Sequence, residues 1–387
     1  LHELFEPLSD LLVNSFSNSF PPIGSLASNK KENKFKLIIK FDEVILDFQI
    51  KKNQLVLADV HIVGSYVAKK SESSYSTSVK AKQTNLYFIT SNDVKEQLYD
   101  FQMAANMLDR LLNNMRIELQ GVADKVYFLP ASRSGLYQGL SNVGSLLAEL
   151  SKNRGSTNKG VSLPNISEAV ADYFLHLSTI SYSEVVSPLA EVANQIEREI
   201  LGGEVSFNEQ DKKLYYKQQK MSQAIDISSA SSMVSEMAPI IAYCKYILGG
   251  RLITYGRGKK RGTISKSYLG LYRNLLFIEE PEAHLHPEVQ VKLMEFFARL
   301  TKHNVKVIMT SHSNYMFNKL SNLLLTDELE PAKVGSYLLR ATPEGSVMDD
   351  FAMRAEEEGI ADENFVDVAE QLYNERLAAY DKLNTTE

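Results

Sequence analysis

The run LLFIEEPEAHLHPE at 275–288 constrains this 387-residue chain more than any other feature. Leu275, Leu276, Phe277 and Ile278 are four consecutive apolar residues, the pattern of a strand covered on both faces, as in a parallel sheet. Glu279 and Glu280 follow at once, and Pro281 ends the ladder because it has no N–H to donate. Pro287 suits the first position of a helix, and Val289, Leu293, Phe296, Phe297 and Leu300 then recur at spacings of three and four. VKVIMTSH at 305–312 reads as a second buried strand, ending at His312. Strand, helix, strand is a βαβ unit with a nearly invariant right-handed crossover. It brings the carboxyl ends of both strands to one edge of the sheet, where open α/β sheets bind ligands. Glu279, Glu280 and His312 are therefore expected to meet, although 32 residues separate the last two.

The texture on either side of this unit varies. Residues 1–16 have apolar positions at helical spacing, and Ser17 to Glu32 reads as a loop. FKLIIKF, EVILDFQI, QLVLADVHIV and TNLYFIT, between Asn33 and about Thr90, are short, β-branched and partly alternating, which predicts an antiparallel β-region. The Ser-rich stretch 69–80 is expected to be a loop within it. A helix is expected over 93–118, a buried strand at 125–132, mostly helix over 140–200, a hairpin at 204–219 and a helix from the Ser-rich turn 228–232 to about 248. A basic linker at 249–266 and an acidic helical tail at 351–387 complete the reading. The domain divisions predicted are 1–120, 121–248, 249–350 and 351–387.

Composition narrows the function classes. Cys244 is the lone cysteine, which excludes a disulfide framework and a cysteine-based zinc module. With 42 Lys and Arg against 48 Asp and Glu, the formal charge is −6, so a surface that coats nucleic acid throughout is not expected. No run of about 18 apolar residues predicts a membrane span. No charged-then-apolar leader follows Leu1. The expectation is a soluble, cytoplasmic protein without a membrane partner.

The block of apolar residues, Glu279-Glu280-Pro281-Glu282-Ala283-His284-Leu285-His286-Pro287-Glu288, followed by Thr310-Ser311-His312-Ser313, resembles the Walker B, D-loop and switch-histidine segments of ABC-type ATPases. The similarity is to the SMC, RecF and OLD-like group, often labelled AAA-family ATPases. VYFLPASRSGL (126–136) resembles the strand and Arg-bearing turn before their helical lobe. ISSASSMVSEMAPI (227–240) resembles their signature segment, with Met233 where a glycine is usual after Ser-Ser. GSYLLRATPEGSV and EEEGIADENFVDVAEQLYNERL resemble their C-terminal end. The resemblance implies an α/β fold of the P-loop NTPase class: an ABC-ATPase-like head with a mixed or parallel sheet, an antiparallel β-region and an inserted helical lobe.

The same resemblance implies roles. Glu279 would hold Mg²⁺ through water, Glu280 would orient and deprotonate the attacking water, and His312 would contact the γ-phosphate of ATP or bridge to the water, since phosphoryl transfer rests on positioning and charge neutralisation. Ser231 and Ser232, at a helix N-terminus, would meet phosphate of a nucleotide held by the other subunit of a homodimer; an ordinary helix cap is the alternative reading. Gln138 lies where the group carries a metal-sensing glutamine. Arg133 reaches either phosphate or an opposing acid, and a structural ion pair is an equal alternative. His284 and His286 beside Glu279, Glu280 and Glu282 invite a zinc reading, but they follow a proline in a turn, so the strand geometry that would align them does not hold. Arg251, Arg257, Lys259, Lys260, Arg261 and Lys266 could meet a DNA backbone, with a solvated loop the preferred reading.

No GK[ST] occurs in the 387 residues. An ATPase of this kind uses a GxxxxGK[ST] loop whose N–H groups cradle phosphates. Neither GRGKKRGT (256–263) nor GTISKS (262–267) fits it. The expectation is that the loop lies upstream of Leu1, so that residues 1–387 alone bind ATP weakly. Three functions compete: an ATP-hydrolysing switch that dimerises and drives an effector or a DNA transaction, a non-catalytic scaffold, and an OLD-type nuclease. Only about 75 residues follow His312, without a second acidic domain, so a nuclease is expected to be a separate partner.

Overall fold

The computed structural model describes residues 13, 36–51, 54–63, 65–71, 76–80, 83–89, 96–139, 167–180, 188–248, 273–343, 345–349, 355–356, 359–360 and 366–384. Two compact units divide it: residues 1–124 with 162–169, and residues 125–161 with 170–387. The predicted helix at 1–16, the loop 17–32, residues 140–166 and the basic linker 249–266 lie outside the described residues, apart from a helical Val13.

In the first unit, β1 (Lys36–Lys40), β2 (Val44–Lys51) and β3 (Gln54–Ile62) form an antiparallel sheet in that order. Strand alternation is plain in β2, where Val44, Leu46, Phe48 and Ile50 are buried and the residues between them are not. A register shift at Asp47/Phe48 leaves Ala58 of β3 unpaired, a bulge that bends the strand. Helix α1 (Glu96–Val122) packs Leu111 and Met115 against this face, with Met107 and Leu108 at the same helical spacing.

The second sheet of this unit corrects the antiparallel expectation. β4 (Ser65–Ser71) runs parallel to β6 (Gln83–Ile89), and β5 (Ser76–Lys80) pairs with β6 antiparallel. Much of the predicted loop at 69–80 is thus strand. Its serines and lysines mask alternating Tyr66, Ala68 and Thr77, Val79 positions, and sheet propensity follows packing context more than polarity.

The second unit is built on three parallel strands in the order β12–β11–β7: β7 (Lys125–Leu129), β11 (Asn274–Glu279) and β12 (Val305–Thr310). Leu276 and Ile278 of the central strand, with Tyr127, Leu129 and Val305, enter one large core. Leu293, Phe296, Phe297 and Leu300 of a crossover helix, Pro287–Thr301, enter the same core. The other face differs from the expectation of burial on both sides: Val126, Phe277 and Ile308 remain 59%, 36% and 48% exposed. The covering helix supplies apolar area to one side only.

The rest of this unit is α2 (Glu168–Ser178), α3 (Pro188–Ile196), an antiparallel hairpin β8 (Gly203–Asn208) and β9 (Lys213–Gln218), a short β10 (Ile225–Asp226), α4 (Ser232–Ala242), α5 (Pro287–Thr301) and α6 (Asn314–Leu325). Gly202, with φ +59°, closes the wide turn at 197–201 and admits the chain into β8. Helix α4 runs through Pro239, which lacks the N–H that would bond to Ser235, and continues into a wider, five-residue-spaced turn at 243–247. β13 (Leu338–Thr342) and β14 (Gly345–Asp349) form a hairpin, β15 (Ala355–Glu356) and β16 (Gly359–Ile360) a second, and α7 (Val366–Asn384) an exposed helix. The expected helical tail is therefore strand first and helix after.

Candidate active site

The register of the sheet assembles the candidate site. Glu279 of β11 pairs with Thr310 of β12, so both strands end at the same level. The Glu280 N–H donates to the Thr310 carbonyl at 3.0 Å. Glu280 then leaves the sheet with φ +40°, in the left-handed region that non-glycine residues seldom occupy, at a cost of order 1–3 kcal/mol. That turn brings Oε1 of Glu280 to 4.0 Å from Nε2 of His312. Both side chains are solvent-accessible, so a ligand can reach the pair from solvent. Glu279 is half-buried, and its Oε2 accepts the Ala131 N–H at 3.3 Å from the turn after β7.

Arg133 lies beneath this rim, in a helical turn at 133–139, fully buried. Its guanidinium donates to the carbonyls of Pro130 (3.1 Å), Glu279 (2.9 Å), Glu280 (3.4 Å) and Pro281 (3.4 Å), and its Nε to the carbonyl of Glu236 (3.3 Å). The Glu236 carboxylate, also buried, pairs with it at 3.3 Å. Burial lowers the arginine's pKa, while Glu236 and then Tyr173, Glu282 and Glu280 oppose that shift. Of the two readings open for Arg133, its contacts are those of an ion pair with an opposing acid.

Glu236 belongs to α4, whose first turn carries the two serines. Ser231 precedes the helix with extended backbone and makes no side-chain cap hydrogen bond, and Ser232 opens it; both are exposed. Gln138 reaches the same neighbourhood, donating from Nε2 to the Ser228 carbonyl at 3.0 Å. The structure thus brings Glu279, Glu280 and His312 to one rim, and Gln138 to the serine segment. Arg133 and Glu236 tie the two together.

His284, with φ +61°, is exposed in the turn, and His286 caps α5, its Nδ1 accepting the Glu288 N–H at 3.4 Å. Among the described residues no three His, Cys, Asp or Glu side chains converge to hold a metal ion. Mg²⁺ binds through one or two carboxylates and completes its shell with water and phosphate oxygens; at the rim the Glu279 carboxylate is a donor of that type.

Sequence reasoning missed Gln290 and named Glu282 only in the zinc reading. Glu282 Oε1 accepts from the His312 N–H (2.6 Å) and from Ser311 Oγ (2.9 Å), and the residue is buried. Gln290 donates to the Leu285 carbonyl (2.8 Å) and accepts from Ser313 Oγ. An acid inside a Glu-Pro-Glu turn was the available signal, but its proximity to His312 depends on the pairing of β11 with β12.

Residues 174–318 match the family described as AAA domain, putative AbiEii toxin, Type IV TA system. The matched stretch includes Ser231, Ser232, Glu279, Glu280 and His312, and leaves Arg133 and Gln138 outside. The description is that of an AAA domain, in agreement with the resemblance drawn from the acid and histidine blocks. No curated protein matches the chain. Among solved structures, the Smc head domain with an extended coiled coil bound to the C-terminal domain of ScpA, from Pyrococcus furiosus, is similar at 10% identity and a TM-score of 0.26. That match covers 47% of this chain and 36% of the other.

Proposed function

We propose that this protein hydrolyses ATP with Mg²⁺, and that the rim formed by Glu279, Glu280 and His312 is where the γ-phosphoryl group is handled. The observation that carries this reading is the 4.0 Å approach of the His312 imidazole to the Glu280 carboxylate at the carboxyl edge of a parallel sheet. A ligand position shared by a carboxylate and an imidazole suits in-line attack of water on phosphate. The carboxylate accepts the water's proton and the imidazole donates a hydrogen bond to the phosphoryl oxygens. Glu279, anchored by the Ala131 N–H, would hold Mg²⁺; the ion would neutralise charge on the phosphates when bound.

The match to an AAA domain supports nucleotide chemistry at this place. Ser231, whose hydroxyl makes no cap hydrogen bond to its own helix, and Ser232 are proposed to meet the nucleotide of a second copy. ATP would thereby close a homodimer and hydrolysis would release it, driving an effector, a separate nuclease or a DNA transaction in repair or phage defence. The test is ATP turnover by the full-length natural protein beside its Glu280→Gln variant, with dimerisation followed by light scattering. Turnover lost in the variant, with ATP-dependent dimers retained, is expected. Turnover indifferent to the substitution would return the protein to the scaffold class.

A further inference from the structure

The segment Ser311-His312-Ser313 is gripped on both sides by residues that follow the acid pair in sequence. Glu282, two residues beyond Glu280, takes the His312 N–H and the Ser311 hydroxyl on a single carboxylate oxygen. Gln290, in the first turns of α5, takes the Ser313 hydroxyl, and its amide group holds the Leu285 carbonyl of the same turn. Ser313 Oγ in turn accepts from the Met316 N–H and caps α6. Main chain at His312 is thereby fixed to the turn that carries Glu280, while its ring stays exposed.

Glu282 is one of several buried side chains with an unsatisfied polar atom. Its Oε2 is buried without a hydrogen-bond partner among the described residues, and burying a half-satisfied carboxylate is costly. An apolar side chain there would leave the His312 N–H and the Ser311 hydroxyl without this acceptor. The buried Arg133 charge nearby offsets part of the cost.

We infer that Glu282 and Gln290 are positioning residues that lock His312 in register with Glu280, so that imidazole and carboxylate approach a phosphoryl group as one rigid unit. This rests on the ATPase reading for its consequence, though the lock itself does not. A misplacement of about 1 Å at a reacting group can cost on the order of 100-fold in rate.

The experiment uses Glu282→Ala, Glu282→Gln and Gln290→Leu in the full-length protein, with two readouts. One is hydrogen exchange at the His312 amide, relative to the Ile308 and Met309 amides of β12. The other is ATP turnover, split into kcat and KM. Glu282→Ala is expected to speed exchange at His312 about 10-fold or more, leave the β12 amides alone, and lower kcat about 10- to 100-fold with KM within about 3-fold. Glu282→Gln, which keeps a carbonyl to accept the His312 N–H, should restore much of both, and Gln290→Leu should lower kcat less than Glu282→Ala does. Unchanged exchange at the His312 amide in Glu282→Ala, or normal exchange with a fall in kcat, would overturn the lock. An unfolded Glu282→Ala would show as loss of protection throughout β12, and Glu282→Gln then decides, protection at His312 upholding the lock and its loss overturning it. Absent turnover in the wild type would end the ATPase reading while the amide readout still decided the lock, because it needs no nucleotide.

Discussion

At the residue scale, the energetics centre on Arg133. A guanidinium with no exposure donates to five carbonyls and pairs with Glu236, so removing either partner leaves a buried charge unpaired. Breaking one side of such a pair typically costs about 3–5 kcal/mol. Arg133→Met should therefore lower the unfolding free energy by about that much in denaturant titration. Arg133→Lys should recover little, because an ammonium cannot span the fork of carbonyls. A loss under about 1 kcal/mol would show that the tie between α4 and the acid turn is weak.

At the element scale, His176 on α2 gives the clearest pH signature. It sits edge-on to Tyr127 and Tyr243, and the Tyr243 hydroxyl lies 3.4 Å from its Nδ1. Burial lowers its pKa, with Lys125 adding to the shift and Asp172 opposing it. A depressed histidine pKa means the unfolded chain takes up its proton first. This contribution to stability is complete above the unfolded value near 6.5, and is lost as pH falls toward the folded value. Melting temperature should drop between about pH 7 and pH 5.5, and His176→Asn should flatten that arm of the profile. A profile unchanged by the substitution would place the titration elsewhere. On α5, Phe297→Ala opens a cavity in the main core and should cost about 3–5 kcal/mol.

Elements were legible in the sequence where periodicity was strong. The apolar run of β11, the three-and-four spacing of α5 and the His-terminated β12 needed no tertiary knowledge, and the meeting of Glu280 with His312 followed from topology alone. The serine-rich strands β4 and β5 were not legible, since polar alternation mimics a loop. The open face of β11 also escaped, because an apolar run reports hydrophobicity on both sides without saying what covers each. Partners of Arg133 were beyond reach, as its acid lies 103 residues away on α4. The left-handed turn at Glu280 is likewise a backbone outcome, not a residue preference.

At the scale of the whole molecule, the second unit joins two places through one buried ion pair: the serine end of α4 and the acid rim of β11. The account predicts that these act on one nucleotide-dependent cycle. Ser231→Ala combined with Ser232→Ala should weaken ATP-dependent dimerisation, read by light scattering, without lowering thermal stability by more than a degree or two. The Ser231 hydroxyl makes no cap hydrogen bond to its own helix.

The central claim is that Glu280 and His312 serve the same phosphoryl group. Single-turnover ATP hydrolysis by full-length protein carrying Glu280→Gln, His312→Ala or both tests it most directly, because groups acting as a unit are non-additive. The account predicts that each substitution slows hydrolysis on the order of 100-fold or more and that the pair is scarcely slower than the worse single variant. Independent, multiplying losses, or hydrolysis untouched by either substitution, would contradict it.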